Sequence, residues 1–209
     1  MNVVLTARRV ERPEALANEL GKCAVVAGDI SDPEMPQRLI DTAVERFGTC
    51  DVVFNNAGIM HTGIIEDVDV ENLCRMVRVN VEAATRMAYV ALKHFKKSNR
   101  GHLVNVSSIL GTKVRPSAGV YAGSKYSIEA LSEALRMEVA KTDIKVSLIE
   151  PGVVETELQN HFPVHPKEIL GITTPLQPAD VARCVRFILE QPAHVRIPVM
   201  MILPGEQAM

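Results

Sequence analysis

The chain has 209 residues, a length that favours one domain, since chains much beyond roughly 250 residues tend to split. With 47% apolar and 23% charged residues it can bury a large core, which excludes a disordered chain. A formal net charge of -2, a 4% aromatic share and the lack of Trp exclude the basic field and stacking platforms of a nucleic-acid binder, and argue equally against attachment to an anionic membrane.

In chain order, short apolar runs alternate with stretches of helical periodicity. Val3 to Thr6 reads as a strand, followed by Arg8 and Arg9 and by a helix-prone segment from Pro13 to Leu20. Cys23 to Ala27 is a second strand, closed by Gly28-Asp29. Leu39, Ile40, Ala43, Val44 and Phe47 recur at helical spacing and predict a helix from about Pro36 to Phe47, stopped by Gly48. Asp51 to Phe54 is a third strand, running into Asn55-Asn56-Ala57-Gly58, and two helical stretches follow between Val70 and Lys97.

His102 to Val106 is a strand ending in Ser107-Ser108, and Tyr121 to Lys141 a long helix with Ile128, Leu131 and Leu135 on one stripe. Lys145 to Ile149 is a strand ending at Pro151-Gly152. Pro178 to Leu189 is a helix with Pro at its start and Asp180 near the positive end of its dipole, and Ile197 to Leu203 is a last strand.

Short strands rich in Val and apolar on both faces, each separated from the next by a helix-length segment, predict a doubly wound α/β fold with a parallel sheet. With no linker, repeat or low-complexity tract, residues 1–209 read as a single domain. Ligands of such sheets bind at the carboxyl ends of the strands. Arg8, Asp29, Asn55 to Gly58, Ser107-Ser108 and Pro151-Gly152 all fall there.

Cys23, Cys50, Cys74 and Cys184 are scattered without a C-x-x-C pair, and no basic-then-apolar leader opens the chain. They read as reduced thiols of a cytoplasmic protein, and no apolar run is long enough for a membrane span. His161 and His165 have an H-x-x-x-H spacing, but Pro163 argues against a helix that would align their rings. No Cys or acidic cluster completes a ligand set, so no metal is expected and the segment reads as a mobile loop.

Tyr121 and Lys125 stand at i and i+4, on one face of the long helix. A phenol with a reference pKa of about 10 is a poor proton donor or acceptor at neutral pH, and a nearby ammonium favours its ionised form. Lowering it by about 3 units requires roughly 4 kcal/mol, hence a desolvated site and more than one positive group. Taken alone, the pair also fits an ordinary amphipathic helix face.

The surrounding motifs change that balance. The chain carries N-N-A-G at Asn55 to Gly58, N-V at Asn80-Val81, N-V-S-S at Asn105 to Ser108, Y-x-x-x-K at Tyr121 to Lys125 and P-G-x-x-x-T at Pro151 to Thr156. This ordered set resembles the single-domain branch of the short-chain dehydrogenase/reductase family. The resemblance implies one dinucleotide-binding and catalytic domain that transfers hydride between a nicotinamide and an alcohol or carbonyl carbon. It implies that Tyr121 exchanges the proton on the substrate oxygen, that Ser108 holds that oxygen, and that Lys125 binds the nicotinamide ribose and lowers the Tyr121 pKa. Asn80 would anchor a water linking Lys125 to solvent.

For the cofactor, the position that resembles the family's ribose-binding acid is Ala7, followed by Arg8 and Arg9. Guanidinium groups bind phosphate where a carboxylate would repel it, so NADP(H) is expected. By resemblance Asp29 contacts the adenine, Asn55, Ala57 and Gly58 pack against its ribose, Thr156 touches the carboxamide, and Pro151, Gly152 and Val153 line the ring. Residues 157–176 would form a substrate lid. The ending Ala193 to Pro198 with Leu203-Pro204 is similar to NADP-dependent 3-hydroxy acid and serine dehydrogenases. A homotetramer or homodimer is expected, with the helices bearing Tyr121 and Asn80 at the interfaces.

One family motif has no counterpart. The first strand and its T-G-x-x-x-G-x-G turn, which would cradle the pyrophosphate, do not occur, and Met1 leads into what resembles the second strand. Three expectations follow: Met1 is an internal codon of a longer reading frame, the favoured one; the chain is a truncated, non-catalytic remnant or interaction protein with the same fold; or a partner chain fills the gap.

Overall fold

The structure, a computed structural model, describes residues 1–208. Its centre is a four-stranded parallel sheet ordered β3-β4-β5-β6, built from Val52–Asn55 (β3), Arg100–Val106 (β4), Asp143–Pro151 (β5) and Val199–Ile202 (β6). Val3–Ala7 (β1) and Cys23–Ala27 (β2) pair in parallel as a separate two-stranded sheet. The helices between them are Glu11–Leu20 (α1), Met35–Phe47 (α2), Val70–Val77 (α3), Ala84–Ser98 (α4), Gly119–Glu138 (α5), Pro166–Ile169 (α6) and Pro178–Leu189 (α7). This is the expected Rossmann-like alternation of parallel strands and helices, with boundaries displaced by a few residues.

Side chains alternate across the central strands, and that alternation builds two cores. Leu103 and Val146 face α2, α4 and α5, where they pack with Ile40, Ala88, Phe95 and Leu135. Val104 and Ile149 turn to the opposite face and pack on Ile188 of α7. Helix ends follow the local chemistry. Asp69 caps α3 by accepting from the amides of Glu71 and Asn72, and Gly48, at φ 82°, closes α2 in the left-handed conformation the sequence predicted there. Among the described residues no helix is long and apolar enough to cross a membrane.

The sheet has the gap expected where the family's first strand has no counterpart. β1 pairs only with β2 and β3 only with β4, so the sheet is divided between them and each keeps one unpaired edge among the described residues. Pairing needs a neighbouring strand about 4.7–4.9 Å away.

Candidate active site

The ladder of β4 runs one residue past its end, because the Ser107 amide donates to the Ile149 carbonyl at 2.8 Å. Ser108 then adopts an extended conformation and caps the helical turn Ile109–Gly111, its Oγ accepting from the Leu110 amide at 3.2 Å. The first turn of α5 brings Tyr121 against this loop, with the Ser108 hydroxyl beside the phenol. One turn later Lys125 lies with its Nζ 5.8 Å from the Tyr121 ring centroid and donates to the Val106 carbonyl at 3.0 Å. The structure thus gathers Ser108, Tyr121 and Lys125, all buried, at the carboxyl end of β4.

Asn80 joins them from a distance. It sits in a π-helical segment, Arg78–Ala83, between α3 and α4, where the sequence pattern gave only helix. Its Oδ1 accepts from the Ile59 amide at 2.9 Å, and its Nδ2 donates to the Ile59 carbonyl at 2.8 Å and the Ser124 hydroxyl at 3.2 Å. The side chain therefore clamps the loop after Gly58 to α5. A Cβ on Gly58 would lie 3.4 Å from Asn80 Oδ1 and 3.9 Å from Lys125 Nζ, so that loop passes close over the site.

Burial dominates the electrostatics. It pushes the Tyr121 phenol above its ordinary value, opposed by the Ser108 hydroxyl and by the charge of Arg115. It pulls the Lys125 ammonium down to about 8, opposed by the carboxylate of Glu129. Arg115 is one positive charge that acts on the phenol. Arg115 comes from the loop before α5, and its Nε is buried without a partner among the described residues.

These groups open onto a cleft of about 1940 Å³. Of the residues expected to hold a cofactor, Arg8, Arg9, Gly58, Thr156, the segment Pro151–Val153, Lys125 and Tyr121 line it. Asp29, Asn55 and Ala57 are not on its wall. Asp29 accepts from the Ser31 amide at 2.9 Å, which holds its carboxyl below the usual value. Asn55 is buried and donates to the Ala84 carbonyl at 3.0 Å and Asn105 Oδ1 at 3.1 Å, tying β3 to α4 and β4. Its amide is engaged in holding the fold.

Sequence reasoning missed Arg12 and Glu157. The Glu157 carboxylate receives Arg12 Nη1 at 2.9 Å and Arg9 Nη2 at 3.0 Å, and Arg12 and then Arg9 hold its carboxyl down to about 2. Arg12 follows Arg9 by three positions at the start of α1, a spacing visible in the sequence, but the partner is 145 residues away. The segment expected as a mobile loop contains the helical turn Glu157–Gln159 and α6, with Leu158 and Phe162 packed on Met60, Met76 and Tyr121. Within it His161 lies against Phe162 and His61, whereas His165 Nδ1 accepts from the Lys167 amide to cap α6.

A parallel α/β fold with a buried Ser-Tyr-Lys cluster at its strand ends, sharing one cleft with an arginine pair, defines a dinucleotide-type oxidoreductase architecture. The sequence model of the short chain dehydrogenases matches residues 1–166, and the chain belongs to this family of oxidoreductases. It is 33% identical over 205 residues to an uncharacterized oxidoreductase of Staphylococcus aureus (strain USA300), covering 97% of this chain and 86% of that protein.

Among solved structures it is similar to the closed form of serine dehydrogenase complexed with NADP+, with a TM-score of 0.91, 27% identity and coverage of 100% and 87% of the two chains. It is also similar to an alcohol dehydrogenase from the archaeon Thermococcus sibiricus complexed with 5-hydroxy-NADP, with a TM-score of 0.87, 27% identity and coverage of 100% and 88%. A 3-ketoacyl-(acyl-carrier-protein) reductase from Brucella melitensis complexed with NADH aligns with a TM-score of 0.88, 28% identity and coverage of 98% and 87%.

Proposed function

We propose that the chain is an NADP(H)-dependent oxidoreductase acting on an alcohol or carbonyl substrate, with Tyr121 as the acid/base. The observation that carries this reading is the meeting of Tyr121, Ser108 and Lys125 in a cleft that Arg8 and Arg9 also line. The bound cofactor would supply hydride chemistry, while the protein orients the reactants and moves the proton. In the direction of carbonyl reduction, the buried phenol keeps its proton and gives it to the substrate oxygen, which Ser108 holds by a hydrogen bond. Lys125 would return a proton to the phenolate, with Asn80 as the proposed anchor of a water that links Lys125 to solvent.

The residues present fit NADP(H) in this cleft. Arg8 and Arg9 offer guanidinium forks for a 2′-phosphate, and Gly58 and Gly152 line the same cleft. Asp29, beyond the wall, would reach the adenine amino group, with Asn55 and Ala57 backing its ribose. Pro151, Val153 and Thr156 would border the nicotinamide. The cofactors of the similar structures include both NADP and NADH, so the preference rests on Arg8 and Arg9. Residues 157–176 would act as the lid through Leu158 and Phe162. Exposed Val120, Tyr126 and Met137 on α5 and Tyr89 on α4 support assembly as a homodimer or homotetramer, in a cytoplasmic setting.

The test is Tyr121→Phe. General acid–base groups contribute about 10²–10⁴-fold, so turnover should fall by that factor while NADPH binding stays within about twofold. A variant that keeps wild-type turnover would remove Tyr121 from the reaction. A wild-type chain that neither binds NADPH nor turns over would favour the second reading, a non-catalytic protein with this fold.

A further inference from the structure

Behind Lys125, α5 continues the same stripe: Tyr121, Lys125 and Glu129 follow one another at successive turns. β5 sends Leu148 to this side, against Ala84 and Ile128, and Ile149 to the other, so alternation brings Glu150 back to α5. Glu150 is only 2% exposed, and the charged group that bears on it is Glu129. Glu129 Oε1 and Glu150 Oε2 are both buried without a hydrogen-bond partner among the described residues. The loop above leaves no room, because a Cβ on Gly111 would come within 2.6 Å of Glu129 Oε1 and also collide with Ser107 Oγ.

Two carboxyl groups in contact away from water do not both ionise; the first proton leaves one, and the second is retained by the pair. Burial, then the charge of Glu129, push Glu150 up to about 7. The other groups around the pair are few. α5 contributes Lys125, whose single charged influence is Glu129. β4 and the following turn offer the Val106 carbonyl and Ser107, and β6 has no titratable side chain between Val199 and Ile202. On α7, Arg183 and Arg186 are exposed and paired with Asp180 and Glu190, and on α4 Arg86 pairs with Glu82.

We propose that Glu129 and Glu150 share one proton and together act as positioning residues for Lys125. Glu129 is the counter-charge that keeps the buried ammonium protonated, and Glu150 sets how much negative charge Glu129 presents to it. With the proton shared the pair carries one charge, and above its second ionisation two, which strengthens the hold on Lys125. The consequence for turnover rests on the oxidoreductase reading; the titration itself does not.

The experiment is ¹³C NMR titration of the full chain labelled at glutamate Cδ and lysine Cε, in wild type, Glu129→Gln and Glu150→Gln. In wild type one glutamate should titrate near neutral pH, a result that needs no variant to fold. Glu129→Gln should lower the Lys125 midpoint by about 1–3 units, the usual effect of an opposite charge within a few ångströms, whereas Glu150→Gln should lower it by less, because Glu129 keeps its full charge. All glutamates titrating near their ordinary values, or Glu150→Gln lowering Lys125 as much as Glu129→Gln, would overturn the proposal. In the enzyme assay the alkaline limb of turnover should move with the Lys125 midpoint. A chain that titrates as described but turns over no substrate would leave the carboxyl pair standing and remove the oxidoreductase reading.

Discussion

β5 buries nearly all of its residues between α5 and α7, whereas every residue of β1 is half-exposed and β2 buries only Val26. The functional groups divide in the same way. Ser108, Tyr121 and Lys125 are fixed by packing and by bonds to the backbone of β4 and its turn, while Arg9 and Arg12 hold their place through exposed ion pairs with Glu157. Proton chemistry requires fixed distances and a desolvated phenol, and the rigid half supplies both. An arginine clamp for a phosphate tolerates movement, since its partner supplies the missing contacts, and Glu157 occupies the forks as an internal anion.

Core truncation should separate the two halves most strongly. Phe95→Ala, in the interior between α4 and β4, should cost about 3–5 kcal/mol in urea unfolding, whereas Leu5→Ala, half-buried in β1, should cost about 1 kcal/mol. Equal losses would erase the contrast. His102, on β4, gives a pH-dependent version of it. Its ring bonds Ser147 Oγ at 2.9 Å, and burial, then Lys145 and Arg196, bring its pKa down from 6.5 to about 4. A folded-state pKa below the unfolded one means that stability falls as the pH drops from 6.5 towards about 4, by an amount on the order of 2–3 kcal/mol. Urea midpoints across this window should lose that dependence in His102→Gln, and an unchanged slope would contradict it. Smallest of all, Glu157→Gln should change stability by less than about 1 kcal/mol, as for exposed ion pairs generally, yet it should tighten anion binding at Arg9 and Arg12.

The contrast also marks what the sequence made legible. The Val-rich runs, Gly48 and the Pro178 start announced elements through local chemistry, and they stand where that chemistry puts them. Ser108, Tyr121 and Lys125 were readable because each lies at a strand end or on a helix face of known period. The break between β1 and β3 was readable as well, since the strand that would pair with both has no counterpart in the motif order. Asn55 sits in the expected loop, but its amide serves Ala84 and Asn105, 29 and 50 residues away. The π-helical turn at Asn80 keeps the same apolar spacing as an α-helix over so few residues. Glu150 belongs to none of the motifs in the sequence, and its proposed proton sharing depends on Glu129, which α5 brings to it.

The central claim, a nicotinamide oxidoreductase whose arginines select the phosphorylated cofactor, is tested most directly by fluorescence titration of the chain with NADPH and NADH. The account predicts saturable binding with NADPH preferred by at least about tenfold, equivalent to about 1.4 kcal/mol of phosphate recognition, and loss of that preference when Arg8 and Arg9 are both changed to Ala. No saturation with either nucleotide up to millimolar concentration, or a preference for NADH, would contradict it.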